Sequence, residues 1–202
     1  VELTANNQNI FLARFNSSAT AEDAVSFGSA GGGVDTAAAL ALDPEGNPVI
    51  AGAVENEVDF GGGQRGSDKS IYVAAFDADD LSHLWSNAYG TTKLGLVFDL
   101  AVDATGNVFL AGGIDGAITV DGNNYTSIGD VDLLLLALEP SGSDVLFWKA
   151  LGSTSKDAMH TVSASPPGRL IAGGFVSAAL DLGAGPLTYD SGTESFIARY
   201  QP

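Results

Sequence analysis

Apolar residues in this chain come in short runs, each closed by Gly, Asp, Asn or Pro. The run Phe11-Leu-Ala-Arg-Phe15 returns as Tyr72-Val-Ala-Ala-Phe76, Leu134-Leu-Leu-Ala-Leu138 and Phe196-Ile-Ala-Arg-Tyr200, so that residues 15, 76, 138 and 200 stand 61, 62 and 62 positions apart. A second string keeps step with it. It reads Leu40-Ala-Leu-Asp-Pro-Glu-Gly-Asn-Pro-Val-Ile-Ala-Gly52 and then Leu100-Ala-Val-Asp-Ala-Thr-Gly-Asn-Val-Phe-Leu-Ala-Gly112. The third copy, Val162-Ser-Ala-Ser-Pro-Pro-Gly-Arg-Leu-Ile-Ala-Gly173, is shorter by one residue in this alignment. Two unrelated strings recurring at one spacing establish a tandem repeat.

Each unit parses into strands by its punctuation. The first strand is Phe11–Phe15 or its equivalent, and a second lies near Val25–Phe27, Leu84–Tyr89 and Leu146–Leu151, each followed by Gly. The third and fourth form a hairpin around Asp43–Gly46, Asp103–Gly106 and Ser165–Gly168, where Asp first, Pro or a small residue next and Gly last is the chemistry of a type I turn. Short segments follow at Val58–Phe60, Ile118–Val120 and Leu180–Leu182. No stretch sustains a 3.6-residue period, so helices are not expected.

Four short strands per unit, in tandem, predict an all-β protein: a β-propeller of four-stranded antiparallel blades, three repeat units plus a closing strand. The expected layout is one domain over residues 1–202, with units at about 10–70, 71–132 and 133–195 and the closing strand at 196–202. Neighbouring blades must cover each other's faces, and Ala13, Ala74 and Ala198 are expected to leave room where inner strands converge. Leu3-Thr4 ahead of Phe11 mirrors Leu187-Thr188 ahead of Phe196. That phase suits a terminal strand completing a blade begun elsewhere, in a larger propeller or between associating chains. Three blades are fewer than the usual 4–8 of a ring.

The string Asp103–Gly112, a Gly-rich turn, and then Gly129-Asp-Val-Asp-Leu-Leu-Leu-Leu-Ala-Leu138 resemble the SBBP-type bacterial β-propeller repeat, and the resemblance runs through essentially the whole chain. In that family an Asp commonly precedes the unit's first strand. Asp132 fills the place in one copy, while Asn9, Ser70 and Glu194 stand there in the others. The third copy also has Ser165 and Arg169 where its predecessors have the turn Asp and Asn, so a strictly repeated metal site is not expected. The resemblance implies a secreted or surface-exposed bacterial protein, often large and multi-repeat, with no common activity.

Composition narrows the function. Eight Lys and Arg stand against 25 Asp and Glu, a formal charge of −17, which repels phosphate backbones and anionic membrane surfaces and excludes nucleic acid as partner. The acids are scattered, as solubility alone would arrange them. No apolar run is long enough for a membrane span. With no Cys there is neither a disulfide framework nor a thiol nucleophile. His83 precedes a strand, and His160 takes a strand position held by Ala38 and Phe98 in the other copies; neither sits in a nucleophile elbow. Asp43 and Asp103 are expected to bond their own turns rather than calcium. Asp35 and Asp157 are equivalent, with Gly95 between them, and Asp59 and Asp181, matching Thr119, look like strand-edge polar residues. Asp77-Ala-Asp-Asp80 is the densest carboxylate group but lacks the alternation of a calcium loop. Trp85 and Trp148 suit core packing or a carbohydrate surface. Gly31–Gly33 and Gly61–Gly63 precede no helix and so hold no phosphate.

No catalytic, cofactor-binding or metal-ligating residue is therefore assigned. The expected function is a non-enzymatic, extracellular or cell-surface binding, adhesion or assembly module, with a protein or glycan partner or self-association through blade edges. A calcium-assisted carboxylate hydrolase or lyase, and a lectin, are the alternatives.

Overall fold

The computed structural model describes residues 2–3, 8–29, 31–165, 169–183, 185–186 and 189–200, and these form seventeen strands and no helix. Strands β1 (Ile10–Phe15) and β2 (Ala21–Phe27) make sheet 1. Sheet 2 orders β3 (Thr36–Leu42), β4 (Pro48–Val54), β7 (Ser70–Phe76) and β8 (His83–Gly90), with a small hairpin, β5 (Val58–Asp59) and β6 (Gln64–Arg65), between β4 and β7. Sheet 3 repeats the plan with β9 (Leu94–Val102), β10 (Val108–Asp115), β13 (Asp132–Leu138) and β14 (Val145–Leu151) around the hairpin β11 (Ala117–Val120) and β12 (Asn123–Thr126). Sheet 4 holds β15 (Ala158–Ser165), β16 (Arg169–Val176) and β17 (Glu194–Tyr200). Every pairing within these sheets is antiparallel.

The copies agree to the residue. Ile10, Ile71 and Leu133 face Phe27, Tyr89 and Leu151, and each ladder slips by one just before Phe15, Phe76 and Leu138. Sequence unit and sheet are nevertheless out of phase. Residues 71–132 supply the last two strands of sheet 2 and the first two of sheet 3. Sheet 1 accordingly has only third- and fourth-position strands, and sheet 4 only the first three.

The sheets stack face to face in chain order. Side chains alternate across a strand, so Tyr72, Ala74 and Phe76 join Ile10, Leu12 and Ile50 between sheets 1 and 2. Ile71, Val73 and Ala75 join Leu134, Leu136 and Leu138 between sheets 2 and 3. Leu133, Leu135 and Ala137 meet Val162, Leu170 and Phe196 between sheets 3 and 4. Strands β7 and β13 are buried along their full length. This is why their sequences read as unbroken apolar runs rather than alternating ones. Burying each such Leu, Ile or Phe contributes about 1.5–3 kcal/mol.

Neighbouring sheets approach most closely along their first strands, β3 against β9 and β9 against β15. Ala13, Ala74 and Ala198 lie instead on β1, β7 and β17, at the third position, so the expectation that they ease converging inner strands is corrected. The small residue that close approach demands is on the second strand. A Cβ on Gly52, Gly112 or Gly174 would stand 1.8, 2.1 or 2.0 Å from the carbonyl oxygen of Thr36, Leu96 or Ala158. Gly174, not Gly173, is thus the third copy's counterpart of Gly112, and that copy is not short by a residue. Among the described residues no helix is long and apolar enough to cross a membrane. The turn residues Pro166–Gly168, the Thr4, Leu187 and Thr188 of the terminal echo, and residues 201–202 of the closing strand lie outside the described residues.

Candidate functional site

The glycines just named sit opposite a bulge in each first strand. The ladder skips Ala38 in β3, Phe98 in β9 and His160 in β15. A bulge re-aims the extra residue and is a common device beside functional sites. Here one backbone feature, repeated three times, presents methyl, phenyl and imidazole groups in turn. His160 is exposed; its ring lies 4.3 Å from that of Phe98 and 5.3 Å from that of Phe175 on β16. Beside it the Asp99 Oδ2 accepts hydrogen bonds from the Thr161 hydroxyl and the Val162 N–H, both at 2.9 Å. The result is a patch of aromatic faces, an imidazole and a carboxylate spanning sheets 3 and 4. Such groups can stack on, and hydrogen-bond to, a polar ligand with an apolar face. Among the described hydrogen bonds none joins a hydroxyl to the His160 ring.

A second repeated feature lies at the start of the same strands. Asp157 is wholly buried, and its carboxylate accepts the Ser153 N–H (2.6 Å) at the end of the preceding sheet and the Ser177 N–H (2.8 Å) beyond β16. Asp35 repeats this with Ser29 (2.6 Å) and Glu55 (3.3 Å). Each carboxylate therefore pins one sheet to the next. Gly95 stands at the equivalent place between sheets 2 and 3, where a Cβ would meet Ile71 Cγ2 at 2.4 Å. Thr91, counterpart of Ser29 and Ser153, donates its N–H to the Lys69 carbonyl instead. A cavity of about 260 Å³ opens at this junction, lined by Thr36, Lys69, Ser70, Thr91, Lys93 and Gly95. Lys93 is paired to Asp115 at 3.0 Å.

The other residues singled out by sequence do structural work. Asp43 and Asp103 each accept N–H groups from the residues two and four positions on. Burial would raise the Asp103 carboxyl, but the Thr105 hydroxyl and the Thr105 and Asn107 N–H groups outweigh it and hold it below the ordinary range. Asp59 and Asp181, expected as plain strand-edge polar residues, prove to organise turns by accepting the N–H groups of Gly61 and Gly63, and of Gly183 and Gly185. Asp77 and Asp80 cap their own loop through the Asp79 and Ser82 N–H groups. Asp132 is buried; its Oδ2 accepts the Ile128 N–H and the Tyr125 hydroxyl, and burial together with that bond pushes the tyrosine hydroxyl up. Among the described residues no three His, Asp or Glu side chains gather as a metal ion would require. Trp85 and Trp148 pack against the core between sheets 2 and 3.

His83 forms the one imidazole–hydroxyl contact among the described hydrogen bonds, Nε2 to Ser86 Oγ at 3.0 Å. Both residues lie on β8; Ser86 is buried, and it is the bond from Arg65 Nε to the Ser86 carbonyl that fastens the β5–β6 hairpin to β8. Burial first, and Arg65 second, hold the imidazole below its ordinary value. Sequence reading missed Asp99, Phe175 and Ser86. The one signal available was that Asp99 follows the position shared by Ala38, Phe98 and His160. No protein-family model matches this chain, and no curated protein matches it.

Proposed function

We propose that the chain is a non-enzymatic β-propeller module of the SBBP-type repeat, secreted or displayed at the cell surface, that binds a protein or glycan partner at the bulged ends of its first strands. Four-position sheets stacked in series, closest at their first strands, suit blades arranged about an axis. The bulges would then stand on the axial side, where propeller ligands are received.

The single observation that carries the binding reading is the bulge series itself. Backbone geometry is held constant by Gly52, Gly112 and Gly174, while the residue it presents changes from Ala38 to Phe98 to His160. A fixed frame with variable presented groups is the organisation of a recognition surface.

Glycan-array and surface-capture binding, run on the wild-type chain and on Phe98→Ala and His160→Ala, tests this. Binding that falls at least tenfold in both variants, with unchanged thermal unfolding, is the expected result. Binding indifferent to both variants, or turnover of the captured glycan by the wild type, would overturn it.

A further inference from the structure

Sheets 2 and 3 each hold all four strands, yet they meet differently from the other neighbours in the stack. At the junctions on either side the first strand begins just after a buried carboxylate, β3 after Asp35 and β15 after Asp157. Strand β9 begins two positions earlier relative to Gly112, at Leu94, and its ladder with β10 runs on through Ile114–Gly95 and Asp115–Leu94. Backbone pairing thus replaces the carboxylate. The segment ahead of β9 is drawn to the β11–β12 hairpin of its own sheet. Thr91 bridges Ile118, while Thr92 donates its N–H to the Ala117 carbonyl at 2.9 Å and accepts the Ala117 N–H on its hydroxyl at 2.8 Å. The cavity of about 260 Å³ opens between this segment and the ends of β3, β4 and β7.

Its lining is chemically mixed. Two of the chain's four lysines, Lys69 and Lys93, border it in a molecule of charge −17. Lys93 is paired to Asp115, whereas Lys69 is exposed and forms no ion pair among the described residues. Glu55 lines the same space, its Oε2 accepting the Val34 N–H at 3.1 Å. Two lysines and two carboxylates carry no net charge, so a multiply charged anion such as phosphate meets repulsion along with attraction. A single carboxylate beside Lys69 meets a cation with no competing partner. Ser70 and Thr91 are buried and add hydroxyls that donate as well as accept, while Glu55 accepts only. Val54 and Leu96 make one wall apolar. Sites for drug-sized molecules run to roughly 300–1,000 Å³, so this smaller space suits one ring.

We propose that this cavity binds a small hydroxylated carboxylate of the size of one sugar acid. Its carboxylate sits at the Lys69 ammonium, its hydroxyls bond to Glu55, Ser70 and Thr91, and its carbon skeleton lies against Val54 and Leu96. The same chemistry is offered by a free sugar acid and by the terminal unit of an acidic glycan. Phe98 and His160 do not line the cavity, so this site and the bulge surface stand or fall separately.

Nuclear magnetic resonance titration of the whole chain with glucuronate tests the site, with glucose and inorganic phosphate as comparators. Saturable amide shifts at Ser70, Thr91 and Gly95 are expected with glucuronate. Binding of glucose, which lacks the carboxylate, and of phosphate, which lacks the skeleton, should be weaker by about tenfold or more. Lys69→Gln should weaken glucuronate by a similar factor, whereas Lys156→Gln, which removes the same charge from the loop ahead of β15, should leave it unchanged. Since Lys69 is exposed, the variant should unfold at the wild-type temperature. No shift with glucuronate overturns the proposal, as do phosphate binding as tightly, Lys69→Gln binding as wild type, or the two lysine variants weakening it equally. A glucuronate-terminated disaccharide separates the sources: tighter binding than the free acid assigns the site to a glycan end, and weaker binding assigns it to the free acid.

Discussion

Strands β7 and β1 are the same element in two settings. Both hold the third position of a sheet, both pair with their successor in one register, and both end on Phe after a one-residue slip. Yet β7 is buried on both faces, while β1 is buried on one and shows Phe11 and Phe15 to solvent on the other. The difference is made by neighbours alone, because the local sequence is alike. A unit of this repeat does not carry its own core; it supplies two half-cores that exist only when another unit lies on each side.

The largest effect expected is a break of that symmetry. Phe76→Ala should cost about 3–5 kcal/mol of stability, whereas Phe15→Ala, measured in dilute solution, should stay within about 0.5 kcal/mol. Urea unfolding midpoints of the pair decide it.

Next come the sheet-to-sheet carboxylates. Asp157→Ala leaves the buried Ser153 N–H and the half-buried Ser177 N–H without their acceptor and should cost roughly 2–3 kcal/mol. Gly95→Asp, which writes the same carboxylate into the junction that lacks it, should destabilise rather than help, because Ile71 already occupies the space. Thermal unfolding of both variants sharpens the contrast between junctions. Gly112→Ala, which drives a methyl onto the Leu96 carbonyl, should cost about 1–3 kcal/mol.

The fold was legible in the chain to a definite depth. Strands announced themselves because a sheet covered on both faces needs unbroken apolar runs such as Leu133–Leu138, and the turns because Asp43 and Asp103 each accept two N–H groups of their own turn. The phase of the sheets was not legible. Periodicity fixes the distance between equivalent residues and says nothing of which four consecutive strands share hydrogen bonds. The binding patch was half legible: the alignment put His160 on a line with Phe98 and Ala38, but the ring of Phe175 and the carboxylate of Asp99 reach it only through pairing across β16 and β9. Asp35 and Asp157 matched in sequence, yet each also accepts an N–H from twenty residues further on, at Glu55 and Ser177, beyond local reading.

The smallest effects concern pH. Asp103 titrates lower when folded than unfolded, so its stabilisation is whole above the ordinary value of 3.8 and is lost as pH falls through the folded value. His83 is also depressed, which favours the neutral ring; its contribution is whole above 6.5 and fades as pH drops below that. Unfolding midpoints against pH should show a shallower acid limb for Asp103→Asn than for wild type. His83→Gln should remove a smaller slope just below neutrality.

The most direct measurement of the stacking itself is methyl-to-methyl nuclear Overhauser contacts from β13. Leu134 and Leu136 should show contacts to Val49 and Val73 on one side, and Leu133 and Leu135 to Val162 and Leu170 on the other, alternating residue by residue. Four leucines reporting one common set of neighbours, or none from an adjoining sheet, would contradict sheets packed face to face in chain order.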